Sequence, residues 1–190
     1  MKIYTKMGDM GKTMFFGCGM VQKNDPRIEA FGDLDELNSV LGVTLCFIED
    51  EKLRALLTKV QNDLFQLGAD LAGSELQQNS FPRITSHHIE EMEQVIDEIE
   101  TKLGIPPKFI LPGGTASSSF LHLCRATARR AERALVGLKS IMPQLNQETL
   151  RYMNRLSDML YMLARQANNE LEVKEQHPLY KYMEGKKKEK

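Results

Sequence analysis

Five stretches of this chain place apolar residues three or four positions apart, and that period restricts the fold more than any other feature. Ile28, Phe31, Leu34, Leu37, Leu41, Leu45 and Ile48 make the first stripe, and Leu53, Leu56, Val60, Leu64, Leu67 and Leu71 the second. Ile89, Met92, Ile96, Ile99 and Leu103 make the third, Thr115 to Leu138 the fourth helix, and Gln147 to Leu171 the fifth. An amphipathic helix buries its stripe against another helix, so five in succession predict an all-α, five-helix up-and-down bundle. The punctuation agrees. Asp25-Pro26 reads as an N-cap with proline in the first turn, Ser86 as an N-cap, and Gly104 as a C-terminal stop. Gly73 to Pro82 reads as a connection, and Ile105 to Gly114 (IPPKFILPGG) cannot be helical through its prolines.

One domain is expected across residues 1–190: a glycine-containing loop over 1–24, the helical bundle over 25–172, and a tail over 173–190. The Lys-rich end, Gly185 to Lys190, is a charge run of the kind that stays solvated. A net charge of -1 gives no global field for nucleic acid or an anionic membrane, so local basic clusters must do any anion binding. Cys18, Cys46 and Cys124 are odd in number and widely spaced, which argues against a disulfide framework and suits a reducing cytoplasm. No apolar h-region opens the chain, and no apolar run is long enough to span a bilayer.

Chemistry concentrates in three segments. In Thr5-Lys6-Met7-Gly8-Asp9-Met10-Gly11-Lys12-Thr13 the glycines let backbone amides approach a phosphate, while lysines and hydroxyls add charge and donors. It is not a P-loop, because Lys6 stands where the first glycine is required and no buried strand precedes it. A flexible N-terminus is the competing reading. The fourth helix carries Arg125, Arg129 and Arg133 on one face, with Arg130 and Glu132 beside it. That stripe is either a solvated face paired with acids or a polyphosphate clamp, since guanidinium forks match phosphate oxygens. Asp35 interrupts an apolar stretch, so a buried arginine partner is expected. In Tyr152 to Arg165, Asn154, Asp158 and Tyr161 lie off the core stripe. The spacings for di-iron, zinc or serine-nucleophile sites are missing, and no protein-bound metal site is expected. His122 and Cys124, flanked by leucines, read as core or interface residues.

Five segments in order resemble the PduO-type cobalamin adenosyltransferases: T-K-x-G-D-x-G-x-T from Thr5, Phe31 to Ser39 (FGDLDELNS), Ile110 to Gly114 (ILPGG), Cys124-Arg125 with Arg129 to Arg133 (RRAER), and Asn154 to Asp158 (NRLSD). The resemblance implies a trimer with active sites between subunits. It implies transfer of the adenosyl group of ATP to the cobalt of cob(I)alamin, with Mg²⁺ accompanying the nucleotide. By position, ATP would be contacted by Thr5, Lys6, Met7, Gly8, Thr13 and Lys23, by Arg129, Arg130, Ala131, Glu132 and Arg133, and by Asn154. Met7 falls where the pattern is variable. Arg129, Phe109, Asp35 and Arg125 would carry the reaction: Asp35 paired with Arg125 across the interface, and Phe109 against the lower face of the corrin. A protein that reduces Co(II) is an implied partner, and a cobalamin-dependent acceptor enzyme a further one. Cob(I)alamin is itself a strong nucleophile, so positioning and charge stabilisation would suffice. An ATP-binding regulatory module and a purely structural bundle are the alternatives.

Overall fold

The computed structural model describes residues 2–15, 19–76 and 83–179, leaving out the side chains of 73–76. It contains five helices: α1 (Pro26–Leu45), α2 (Glu51–Leu76), α3 (Ser86–Leu103), α4 (Ala116–Leu138) and α5 (Gln147–Glu170). Helices α1, α4 and α5 form the centre, with α2 packed on α1 and α3 on α5. The predicted stripes face inward except at Phe31, which lies on the exposed side of α1. Leu34, Leu37 and Leu41 of α1 meet Leu57, Leu64 and Leu67 of α2 and Leu121, Ala128 and Leu135 of α4 in one continuous core. Polar ties fix the register of the layers. Tyr152 of α5 donates to Asp63 of α2 (3.1 Å), and Lys59 bridges Asp63 and Glu91, each at 3.0 Å.

Helix ends follow the sequence closely, with small shifts. Asp25 caps α1 by accepting from the Arg27 amide, and its ion pair with Arg27 holds its carboxyl down at about 2. Thr85, not Ser86, is the N-cap of α3. Thr115 is the N-cap of α4, accepting from the Ser118 amide, and Gly104 ends α3 at φ 68°. The connection expected from Gly73 is helical as far as Leu76, because Leu71 and Ala72 continue the buried stripe into it.

The N-terminal segment departs from a plain loop. Lys12–Phe15 (β1) and Gly19–Gln22 (β2) pair as an antiparallel hairpin, Lys12 opposite Gln22 and Phe15 opposite Gly19. Phe15 is buried, with Arg27 over its ring, and Thr13 and Val21 opposite each other are half-buried, so one face of the hairpin is partly covered over only two or three residues. No described helix is long and apolar enough to cross a membrane. The Lys-rich end of the tail and Cys18 lie outside the described residues.

Candidate functional site

The glycine loop folds onto the hairpin by its own backbone. Asp9 donates to the Lys6 carbonyl, Gly11 to that of Gly8, and Lys23 to that of Gly11 at 2.8 Å. This last bond brings Lys23, at the end of β2, against Gly8. A Cβ on Gly8 would lie 3.3 Å from the Lys23 ammonium nitrogen, a tight contact that the end of the lysine side chain would relieve by moving slightly. Thr5, Lys6 and Met7 are exposed, and Thr13 is half-buried on β1. The loop therefore gathers Lys6 and Lys23, exposed amides and two hydroxyls around one turn. That supplies what an anion needs.

Helix α4 carries the arginines as the spacing predicts. Arg129 and Arg133 are exposed, and Arg133 Nη1 donates to the Arg129 carbonyl at 2.9 Å. The Arg129 guanidinium meets no acceptor among the described residues, so the stripe is not simply a face neutralised by acids. Arg130 is the exception. It pairs with Asp33 (2.9 Å) and with Glu36, both on α1, and the Glu36 carboxylate raises its pKa further. Ala131 is fully buried and offers a ligand no side-chain surface; it spaces Arg130 from Glu132. Glu132 accepts from Asn154 of α5 at 3.0 Å, which joins the two segments that the sequence set apart.

Asp35 finds no arginine partner within the protomer. It is exposed, with no hydrogen bond or ion pair among the described residues, because the helix turns it away from the core side that Leu34 and Leu37 occupy. It borders a groove of about 380 Å³ between α1 and α2, lined by Phe31, Leu34, Leu64, Phe65 and Ala69. Arg125 has the complementary deficit: its Nε is buried without a hydrogen-bond partner. One turn earlier, His122 is 3% exposed and both ring nitrogens lack partners; burial, then the charge of Arg125, lowers its pKa to about 4.

Phe109 is 80% exposed, which excludes a plug at the bundle end. Its loop is held by residues to which the sequence reading gave no role. Asn168, on the last turn of α5, donates to the Gly113 carbonyl and accepts from the Thr115 amide, both at 2.9 Å. Residues 173–179 run back along the loop: Leu111 donates to the Gln176 carbonyl at 2.7 Å, and His177 Nδ1 lies 2.8 Å from the Phe109 carbonyl. Asp33 and Glu36 were visible within the FGDLDELNS motif, three residues apart on one helix face. Asn168 had no local signal at all.

Fold and site together define a helical bundle that presents arginines and a glycine loop to a polyanion, with an aromatic ring held in the open for an apolar ligand face. The cobalamin adenosyltransferase family model matches residues 3–167. The corrinoid adenosyltransferase PduO of Salmonella typhimurium is 44% identical over 166 residues, covering 87% of this chain and 49% of that protein. The corrinoid adenosyltransferase of Mycobacterium leprae is 40% identical over 180 residues, covering 88% of this chain and 91% of that protein. Among solved structures, a phenylalanine-to-alanine variant of the PduO-type ATP:corrinoid adenosyltransferase of Lactobacillus reuteri, complexed with cobalamin and ATP, superimposes with a TM-score of 0.86 at 38% identity. It covers 93% of this chain and 99% of that one. An arginine-to-lysine variant from the same organism, complexed with ATP, gives 0.85 at 37% identity, covering 93% of this chain and 100% of that one. The chain belongs to the cobalamin adenosyltransferase family. It spans about half the length of the Salmonella relative and nearly all of the mycobacterial one.

Proposed function

We propose that this protein transfers the 5′-deoxyadenosyl group of ATP to the cobalt of cob(I)alamin or a related corrinoid, at sites completed between the subunits of a homotrimer. The cobalt(I) electron pair forms the Co–C5′ bond while the C5′–O bond breaks, its pair leaving on triphosphate. No side-chain nucleophile is needed. The chain's own work is to orient ATP and to stabilise the leaving charge, the task for which Arg129, Arg133, Lys6 and Lys23 are suited. The relatives' names and the complexes with ATP and cobalamin support this reading. The observation that carries it is Phe109: an exposed ring, held by a proline- and glycine-bracketed loop, has no use in a module that binds ATP alone. Pressed against the lower corrin face, it would exclude the axial ligand and ease reduction of Co(II), one of the ways a protein tunes a cofactor metal.

Among the described residues no group of three or more His, Cys, Asp or Glu side chains could hold a metal ion. Mg²⁺ would travel with the triphosphate, and Glu132, held by Asn154, is one carboxylate that could meet its waters. The trimer is supported by two complementary deficits. Asp35 is an exposed carboxylate beside an apolar groove, and the Arg125 guanidinium has a buried, unsatisfied nitrogen. Each is what the other needs if they meet across a subunit boundary. A cytoplasmic setting, reduction of the Co(II) corrinoid to Co(I) by a partner protein, and hand-over of the product to a cobalamin-dependent enzyme complete the proposal. Purified protein mixed with ATP, Mg²⁺ and chemically reduced cobalamin should shift the corrin absorbance to that of the alkylated form. No shift would refute the activity, and a fully active monomer of 21.7 kDa by light scattering would refute the shared site.

A further inference from the structure

Phe109 cannot be held by its own segment. Ile105 to Gly114 has no regular structure, and a ring 80% exposed gains little from packing. What holds it comes from the end of the chain. After α5, Glu172 adopts φ 55° and the Val173 amide donates to the Asn168 carbonyl at 2.9 Å, which turns the backbone around. Residues 173–179 then run antiparallel to the loop. Glu175 is fixed by Arg165, 2.8 Å away and only 6% exposed, whose Nη1 also donates to the Gly104 carbonyl at 2.7 Å. Arg165 thereby ties the end of α3, where the loop departs, to the returning segment. The two bonds beyond it land on the loop itself: Leu111 N–H to the Gln176 carbonyl and His177 Nδ1 to the Phe109 carbonyl. A carbonyl only accepts, so His177 Nδ1 carries the proton in this bond. Pro178 disfavours helical geometry at His177 and keeps the segment extended.

We propose that residues 173–179 are a strap that positions Phe109 for the corrinoid, with His177 as the positioning residue on the Phe109 backbone and the Arg165–Glu175 pair as its anchor. The proposal rests on the reading of Phe109 given above. His177 touches neither substrate, and it acts by restricting the peptide from which the aromatic ring projects. Loss of its bond lets the loop swing, so the ring meets the lower corrin face for a smaller fraction of the time. ATP binding and the final alkyl transfer do not depend on that fraction.

His177 is exposed, so replacing it leaves the core intact. In the full-length protein, His177→Ala should speed hydrogen exchange of the Leu111 amide by about tenfold, the factor that accompanies one hydrogen bond of ordinary strength. With ATP and cob(II)alamin, electron paramagnetic resonance should show a several-fold smaller population lacking the axial nitrogen. Turnover starting from Co(II) should fall by a similar factor. Turnover from chemically generated Co(I), and KM for ATP, should match wild type. His177→Asn, whose amide can reach the same carbonyl, should restore both exchange and spectrum. Leu111 exchange in His177→Ala equal to wild type overturns the strap. Faster exchange with an unchanged spectrum, while Phe109→Ala abolishes the four-coordinate signal, overturns its role in positioning. If Phe109→Ala alone leaves the spectrum of wild type, the reading of Phe109 has failed and the positioning claim falls with it, whereas the exchange result still reports on the strap.

Discussion

Replacing Gly114 by alanine should cost far more than the same change one residue earlier, and the difference measures how tightly Asn168 grips the loop. Both glycines have positive φ, 152° at Gly113 and 106° at Gly114, so either alanine carries backbone strain of about 1–3 kcal/mol. The stiffer unfolded chain returns roughly 0.5 kcal/mol in each case. Around Gly113 a Cβ meets nothing within 4 Å, and the cost ends there, at about 1–2 kcal/mol. At Gly114 the Cβ would overlap Asn168 Oδ1 and lie 2.6 Å from both Cγ and Nδ2. Asn168 is 3% exposed and cannot swing into solvent, so it must surrender its bonds to Gly113 and Thr115. Two hydrogen bonds at about 1 kcal/mol each bring Gly114→Ala to about 3–4 kcal/mol. Urea unfolding of the two variants, followed by helical circular dichroism, gives the difference directly. In an Asn168→Gly background the overlap is gone, and Gly114→Ala should cost only its strain, a coupling of about 2 kcal/mol. Equal costs for the two alanines in the wild-type background, within about 0.5 kcal/mol, would refute the clasp.

Other consequences follow from the same geometry. Arg129→Ala removes an exposed guanidinium with no partner in the free protein, so circular dichroism should stay as wild type. ATP affinity or turnover should fall by about tenfold to a hundredfold, the worth of one charge-assisted bond to phosphate; unchanged isothermal titration and rate would clear Arg129 of that role. Asn154→Ala, which frees Glu132, should weaken ATP in the same assay, and an unaltered ATP isotherm and rate would count against the pairing. Asp35→Asn should loosen the oligomer and lower activity by leaving Arg125 Nε without its counter-charge, and a wild-type mass distribution in light scattering would reject the cross-subunit pair. His122 is held neutral when folded, at a pKa of about 4, while the unfolded chain takes up its proton near 6.5. Its contribution is therefore complete above pH 6.5 and is lost as pH falls toward 4, by about 3 kcal/mol, so His122→Phe should flatten that part of the stability profile. A profile as steep as wild type between those pH values would contradict this.

The bundle was legible because α1, α2 and α4 bury long stripes whose period survives every polar insertion. Leu34, Leu37 and Leu41 are the plainest example, and each is buried as the spacing demands. The hairpin was not legible, since strands of four residues that cover only Phe15 and partly Thr13 and Val21 are too short for an alternation to stand out. At the site, sequence spacing could align Arg125, Arg129 and Arg133, because i to i+4 geometry is local. It could not say that Arg130 spends its charge on Asp33 and Glu36, for that depends on how α1 crosses α4. Asn168 lies 55 residues from Gly113, and Leu111 and Gln176 pair through backbone atoms that no side chain announces. Asp35 finds no arginine within the protomer for a related reason: α1 has an exposed side, which also carries Phe31.

That exposed side bears on the proposed association of subunits. Folding normally pairs buried polar groups and hides large apolar ones. Among the described residues Arg125 Nε is buried and unpaired, Phe31 and Phe65 stand in solvent beside Asp35, and the exposed Arg129 guanidinium meets no acceptor. The glycine loop and hairpin reach α1 through Phe15 and Arg27. Among the described residues no hydrogen bond or ion pair joins them to the arginines of α4. In the proposed trimer a polyphosphate could be held by the loop of one copy and the α4 arginines of another, and Asp35 meeting Arg125 would also bring a neighbouring copy to the groove between α1 and α2. On that proposal, the cost of leaving these groups unsatisfied in a single protomer would favour assembly of the site.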